Sequence, residues 1–319
     1  MMHLTDVNET PTMEISGATK GIINVSEDSD VATSLATVTT DDDDGHTVTM
    51  SVDNADFYFT QTGAGTGVFE LFANSLDHET DDQMVVNITA SDGVNSASKQ
   101  LTVNVDDVNE APEFGLPVGG TQGPISLTNK TMEFSISENA SVGDIVTTLV
   151  ASDEDDGHSP IFSPSMYSTF NISSVGAISV KTTLDYETEQ SVDFTVYATD
   201  SVNASLQDYL DIKINVLDVN EAPVLDVSTP GPLVENQSDV QIAPVSWTDP
   251  DNVGDSYGDA AYDDVLVTLG GADGASFKID ASNFLTFTGP ADFESKNSYQ
   301  VDVIATDETG AKDTESLTI

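Results

Sequence analysis

The residues of this chain with chemistry to offer are carboxylates, and they recur at fixed intervals. Leu76-Asp77-His78-Glu79, Leu184-Asp185-Tyr186-Glu187 and Ala291-Asp292-Phe293-Glu294 each precede a further aspartate, Asp92, Asp200 and Asp307, by the same 15 residues counted from the first Asp. Asp and Glu two apart in an extended segment point to one face, so each pair can chelate one cation or bridge two. Upstream stand an isolated glutamate (Glu27, Glu138, Glu235) and then an Asp-x-Asp (Asp41/Asp43, Asp153/Asp155, Asp249/Asp251), at offsets of 14, 15 and 14. A fifth element, Asp-Val-Asn-Glu, occurs at Asp6 to Glu9, Asp107 to Glu110 and Asp218 to Glu221, each time followed within two residues by proline. The recurring groups are oxygen donors without His or Cys among them, which selects a hard cation such as calcium over zinc or copper. One acidic turn residue means little in a β-protein. Five motif classes in register mean that these groups hold fixed places in a common fold, and so many carboxylates cannot gather unless a cation neutralises them.

Composition agrees. The 319 residues carry 56 Asp plus Glu against 8 basic residues, all Lys, for a formal charge of −48. Nucleic acid and anionic lipid are poor partners for such a chain, and cations are the natural ones. A diffuse solvated acidity of the kind found in salty environments is the competing explanation, and placement decides between the two. Cysteine is absent, so no disulfide, thiolate chemistry or Cys-based zinc site exists. The segment Met1 to Met13 lacks a basic start and an apolar stretch, and no run of about 18 apolar residues occurs, so neither a signal peptide nor a membrane span is expected. The chain opens inside a linker-like segment and stops in the strand-like Leu317-Thr318-Ile319, and is read as part of something longer.

The elements that must position the carboxylates are strands. Met84, Val86, Ile88, Ala90; Val192, Phe194, Val196, Ala198; and Tyr299, Val301, Val303, Ala305 alternate strictly, and each run delivers the aspartate two residues after its last alanine. Leu101, Val103, Val105 and Leu210, Ile212, Ile214, Val216 run directly into Asp107 and Asp218. Linker starts lie 101 and 111 residues apart, the length of one small β-sandwich. The expected organisation is a tail of a preceding linker (1–11) and three repeats (12–108, 109–219, 220–319).

These motifs together resemble the cadherin repeat, over nearly the whole chain. The resemblance implies an all-β protein of three tandem Greek-key, immunoglobulin-like β-sandwich domains in an elongated array, with up to three calcium ions at each complete junction. Carried over residue by residue, the first junction comprises Glu27, Asp77, Glu79, Asp107, Asn109 and Glu110 with Asp153, Asp155 and Asp200. The second comprises Glu138, Asp185, Glu187, Asp218, Asn220 and Glu221 with Asp249, Asp251 and Asp307. Asn109 and Asn220 are expected to contribute partly through backbone carbonyls. At the N-terminal stub Asp6, Asn8 and Glu9 face Asp41, Asp43 and Asp92 in an incomplete site of fewer ions, and Glu235, Asp292 and Glu294, without a linker, should be largely empty. Ala111 and Ala222 stand where the family motif ends in Asn, a departure that removes a ligand.

The implied function is a calcium-binding segment of a larger extracellular or cell-surface adhesion protein, stiffened by its ions. Copies of itself, other surface proteins or glycans are the implied partners. Absence of arginine and cysteine points toward a bacterial surface or secreted adhesin. A carbohydrate-binding or spacer module of a polysaccharide-active protein is the alternative, and an acidic scaffold with incidental cation affinity a third. Catalysis is not expected, because an active site is built once whereas these carboxylate pairs recur in every repeat. Among lesser features, His46 and His158 in the two Asp-Asp-Gly-His strings are read as polar turn residues, with a transition-metal role as the weaker reading. Trp247 is assigned to its domain core, and the acidic loop Asp249 to Asp264 with Tyr257 and Tyr262 to solvent. The sequons at Asn87, Asn129 and Asn203 are ascribed to composition.

Overall fold

The computed structural model describes residues 3, 5–63, 67–119, 121–155, 157–164, 169–252 and 265–319, so Tyr257 and Tyr262 lie outside the described residues. The protein is all-β: the only helical elements among the described residues are two single 3-10 turns, Pro250–Asn252 and Gly274–Ser276. The chain divides into two compact units, one of Met1–Gly115, Ala151–Ile161 and Ala198–Asp208, the other of Leu116–Val150, Phe162–Tyr197 and Tyr209–Ile319. The first linker thus shares a unit with loops 151–161 and 198–208, which begin 41 and 88 residues after Glu110 in sequence.

In the first unit, one four-stranded sheet runs in the order Thr12–Ser16, Ala36–Asp41, Val68–Ala73, Phe57–Gln61, and a second in the order Ile22–Ser26, Ser96–Asp106, Gln83–Ser91, Thr49–Val52. Alternation along Gln83–Ser91 buries Met84, Val86, Ile88 and Ala90, as the period of two dictates, and these meet Val38 and Leu71 of the other sheet in one core. All pairings of described strands here are antiparallel except one: Ile22–Ser26 runs parallel to Ser96–Asp106, with Ser26 opposite Asp106.

The second unit repeats that device. Thr131–Ser137 pairs in parallel with Gln207–Leu217, with Ser137 opposite Leu217, and buries Met132 and Phe134 beside Leu210, Ile212 and Ile214. Farther along, Val224–Val227, Val240–Thr248, Phe284–Phe287 and Phe277–Ile279 form one sheet and Leu266–Gly270, Gln300–Thr306 and Lys312–Thr318 another. Leu285, Phe287, Val303 and Ala305 fill the space between these two, and half-buried Trp247 packs against that core, in agreement with the sequence reading. Phe277, Phe287 and Tyr299 meet edge to face, with centroids 5.0 to 6.2 Å apart.

Candidate metal centres

The parallel strand pairs explain why carboxylates far apart in sequence meet. Two strands in register leave the sheet side by side, so the glutamate after one and the linker after the other emerge together. The Glu27 amide continues the ladder to the Asp106 carbonyl (3.3 Å), and the Glu138 amide to the Leu217 carbonyl (3.0 Å). Glu27 then accepts the amide of His78 on Oε2 and that of linker residue Val108 on Oε1, both at 2.7 Å. Glu138, only 6% exposed, accepts the amides of Tyr186 (2.6 Å) and Val219 (2.5 Å) in the same way. Asp77 and Asp185 each close a tight turn: one oxygen takes the amide and the other the hydroxyl of Thr80 and Thr188, at 2.9 to 3.0 Å. Oxygens of Glu27, Asp77 and Glu79 come within 4.8 Å of one another, as do those of Glu138, Glu187 and Glu221.

The loops that follow in sequence complete each cluster. The Glu110 amide donates to Asp155 Oδ2 at 3.0 Å, and the Asp155 amide to Asp153 Oδ1 at 3.3 Å. At the second linker the Glu221 amide donates to Asp251 Oδ2 (3.0 Å) and the Asp251 amide to Asp249 Oδ1 (3.2 Å). Asp200 Oδ1 accepts the amides of Val202 and Asn203, while Asp307 Oδ1 accepts those of Gly310 and Ala311 and its Oδ2 the side-chain amide of Asn220. Asn109 and Asn220 also donate to the carbonyls of Glu110 and Glu221, at 3.0 and 2.8 Å, which locks the linker backbone. A cavity of about 310 Å³ lies at the first linker, lined by Glu79, Asp107 and Asp155 together with His78 and His158.

At the N-terminal stub the same bonds appear one residue out of step with the sequence reading. Glu9 donates to Asp44 Oδ2 (2.9 Å), Asp44 to Asp42 Oδ1 (3.1 Å), and the Asn8 side chain to Asp92 Oδ2 (2.7 Å). Asp42 and Asp44 therefore take the places assigned to Asp41 and Asp43. Asp41 ends strand Ala36–Asp41, opposite Thr12, and both Asp41 and Asp43 point to solvent. Four consecutive aspartates offer two Asp-x-Asp pairs of identical type, and only the phase with which the strand ends chooses between them. Asp6 is exposed. At the far end Glu235 is exposed, and Asp292 caps its own turn through Ser295 (3.2 and 2.8 Å).

Electrostatics set the linker clusters apart. Buried side-chain oxygens without any hydrogen-bond partner are found on Asp42, Glu110, Asp153, Asp200, Glu221, Asp249 and Asp251, all of them in the recurring motifs. A buried unpaired carboxylate oxygen is costly, and like charges crowded around it make it more so. Burial, reinforced by Glu27 and Asp155, pushes the Glu110 carboxyl up to about 7, and burial with Glu138 and Asp251 does the same to Glu221, also to about 7. Glu79, Asp153, Glu187, Asp218 and Asp249 are raised as well, chiefly by burial. For Asp200 burial opposes ionisation, but the amides of Asn203 and Val202 outweigh it and the carboxyl is lowered. The set fits a divalent cation: oxygen donors converge, and those buried oxygens accept no hydrogen bond, Asp200 Oδ2 having only the His158 ring beside it. Sequence reasoning missed the linker amides of Val108 and Val219, which carry no side-chain signature, and the closeness of the His158 ring to Asp200.

Comparison with known proteins agrees with this arrangement. Residues 132–217 match the cadherin domain model. The chain is 27% identical to mouse Protocadherin Fat 4 over 326 residues, covering 95% of this chain and 6% of that protein. It is 31% identical to human Protocadherin-1 over 247 residues, 69% of this chain and 22% of the relative, so it spans a small part of the proteins it matches. The crystal structure of mouse Cadherin-23 EC22-24 superposes with a TM-score of 0.52 at 22% identity, over 97% of this chain and 98% of that one, a likeness of fold.

Proposed function

We propose, for this chain of cadherin repeats, that calcium held by the linker clusters joins each repeat to the next, within an extracellular segment of a larger adhesion protein. The supporting observation is the set of buried carboxylate oxygens without a hydrogen bond on Glu110, Asp153, Asp200, Glu221, Asp249 and Asp251, which belong to linkers and to the loops that follow them. Glu27, Asp77, Glu79, Asp107, Asn109, Glu110, Asp153, Asp155 and Asp200 would hold ions at the first linker, and Glu138, Asp185, Glu187, Asp218, Asn220, Glu221, Asp249, Asp251 and Asp307 at the second. The repeat boundaries 12–108, 109–219 and 220–319 are part of the same proposal, as is a smaller ion complement at Asp42, Asp44 and Asp92.

The bound ion supplies positive charge where like charges meet. The residues do the rest: Glu27 and Glu138 clamp linker amides, Asn109 and Asn220 fix the linker backbone, and the Asp-x-Asp loops receive the Glu110 and Glu221 amides. Without neutralisation, repulsion among these groups works against every one of those bonds. Extracellular calcium modules of this type bind with dissociation constants on the order of 10⁻⁴ to 10⁻³ M. The role is recognition and mechanical coupling rather than catalysis, and the partners proposed are copies of the same protein, other surface proteins or glycans. No helix among the described residues is long and apolar enough to cross a membrane. Thermal melting and small-angle scattering of the whole chain, with calcium against chelator, test the reading. It predicts higher stability and greater extension with calcium, and equal curves in both buffers would refute it.

A further inference from the structure

The two linker clusters share carboxylates and differ in nitrogen. The four histidines are His3, His46, His78 and His158, so the second cluster has none, whereas the first has an imidazole packed among its acids. His158 Nδ1 lies 3.1 Å from Asp200 Oδ2 and 3.6 Å from Asp155 Oδ2. Ligand atoms of Asp153, Asp155 and His158 are all within 4.8 Å of one another. Nδ1, Asp153 Oδ2 and Asp200 Oδ2 are buried atoms that have no hydrogen bond to any group outside this cluster, and the side chains of His158 and Asp200 are 20% and 0% exposed. We propose that His158, with Asp153, Asp155 and Asp200, is a mixed nitrogen and oxygen site for a transition divalent cation of the zinc class, competing with calcium at the first linker. The inference rests on the reading that this cluster holds cations.

Donor chemistry separates the two metals. Calcium takes oxygen ligands, so an imidazole aimed at its site is a wasted position, whereas zinc accepts imidazole nitrogen and carboxylate oxygen together. The geometry suits the smaller ion. Tetrahedral zinc with bonds of about 2.0 to 2.2 Å places its ligands about 3.4 Å apart, and the two measured separations from Nδ1 lie on either side of that value. The ring is held in place: Gly157 adopts φ +83° to turn the chain, and the His158 amide donates to the Asp155 carbonyl at 3.2 Å. Asp155 is steadied by the Glu110 amide and Asp200 by those of Val202 and Asn203, the outer bonds that orient metal-binding carboxylates. His46 and His78 fall into like groups, with Asp42 and Asp44 and with Glu79 and Asp107, but neither Nδ1 is both buried and free of a backbone partner. His78 Nδ1 faces the Val105 carbonyl at 2.7 Å, and His46, half exposed, lies 3.5 Å from Asp42. The competing role for His158 is a counter-ion to Asp200, with no metal between them.

Cobalt(II) and zinc titrations of the calcium-free whole chain decide between them. The expected result is one tight equivalent with an intense tetrahedral visible band that zinc displaces. His158→Gln should abolish that band and weaken zinc binding at least about tenfold, the lower end of what losing even an outer-shell partner costs. An unchanged band and affinity in His158→Gln, or loss in His46→Gln or His78→Gln instead, overturns the assignment, and absence of any tight equivalent in the unmodified chain supports the counter-ion role. Calcium-induced stabilisation of the unmodified chain is measured in parallel. If that fails, the cation reading of the linkers is at fault rather than the choice of metal.

Discussion

Glu138 and Glu235 begin as the same residue in the same motif and end in opposite situations. Glu138 is 6% exposed, clamps the amides of Tyr186 and Val219, and shares a cluster with Glu187 and Glu221. Glu235 is exposed. The partner motifs are equally matched, since Asp185 caps Thr188 as Asp292 caps Ser295. What differs within this sequence is the neighbouring segment: Asp-Val-Asn-Glu at Asp218 to Glu221 returns to Glu138 from a parallel strand, whereas the strand in the corresponding place of the last repeat, Lys312–Thr318, stands at the end of the sequence. Residue type and spacing therefore make a candidate, and the returning linker, with the loop bonded to it, makes a centre.

The sharpest way to break this comparison is to delete each glutamate. At calcium about 100-fold above its dissociation constant, the unmodified chain should gain roughly 2.7 kcal/mol per site, or on the order of 10 °C in melting temperature for a domain of this size. Glu138→Ala should lose most of that gain and Glu235→Ala almost none, as differential scanning calorimetry with calcium and with chelator would record. Equal losses would mean that both ends bind alike.

Next in size is the effect of pH. Glu110 and Glu221 are raised from the ordinary glutamate value of 4.5 to about 7 by burial and by neighbouring carboxylates. A carboxyl raised in the folded state stabilises the fold below its unfolded pKa, and that contribution disappears as pH climbs through the folded one. Calcium-free protein should thus melt at a lower temperature at pH 8 than at pH 5. With calcium the order should reverse, because ionised carboxylates are what the ion requires. Glu110→Gln with Glu221→Gln should flatten the calcium-free profile, and a profile unaffected by both changes would remove these groups from the explanation.

A smaller effect is expected from the turn hydroxyls. Thr188→Val removes the 2.9 Å hydroxyl bond to Asp185 and should weaken calcium binding by roughly tenfold, as loss of an outer partner of a ligand does. Ser295→Ala, its counterpart beside Glu235, should leave titration calorimetry unchanged. Smallest is Asp280, remote from any linker, whose carboxyl is lowered to about 2 by the Gln241 side chain and the Phe284 amide. A lowered carboxyl contributes stability above its unfolded value of 3.8 that is lost as pH falls through the folded one. The melting difference between the unmodified chain and Asp280→Ala should accordingly shrink between pH 4 and 2, whether or not calcium is present.

Strand alternation, the sandwich class and the recurring acidic motifs were all legible in the linear order of residues, because a period of two and a fixed spacing are local properties. Met84, Val86, Ile88 and Ala90 fall on the buried face as their alternation requires, and the motif aspartates accept amides of the turns that follow them, two and three residues on for Asp92 and Asp200 and three and four for Asp307. Only the tertiary structure could choose Asp42 and Asp44 over Asp41 and Asp43, since four identical residues carry no phase of their own and the end of a strand supplies it. Only the structure could bring His158 to Asp200, or the Val108 and Val219 amides to Glu27 and Glu138, because those outcomes depend on which backbone returns to which side chain, and a backbone amide has no letter in the sequence.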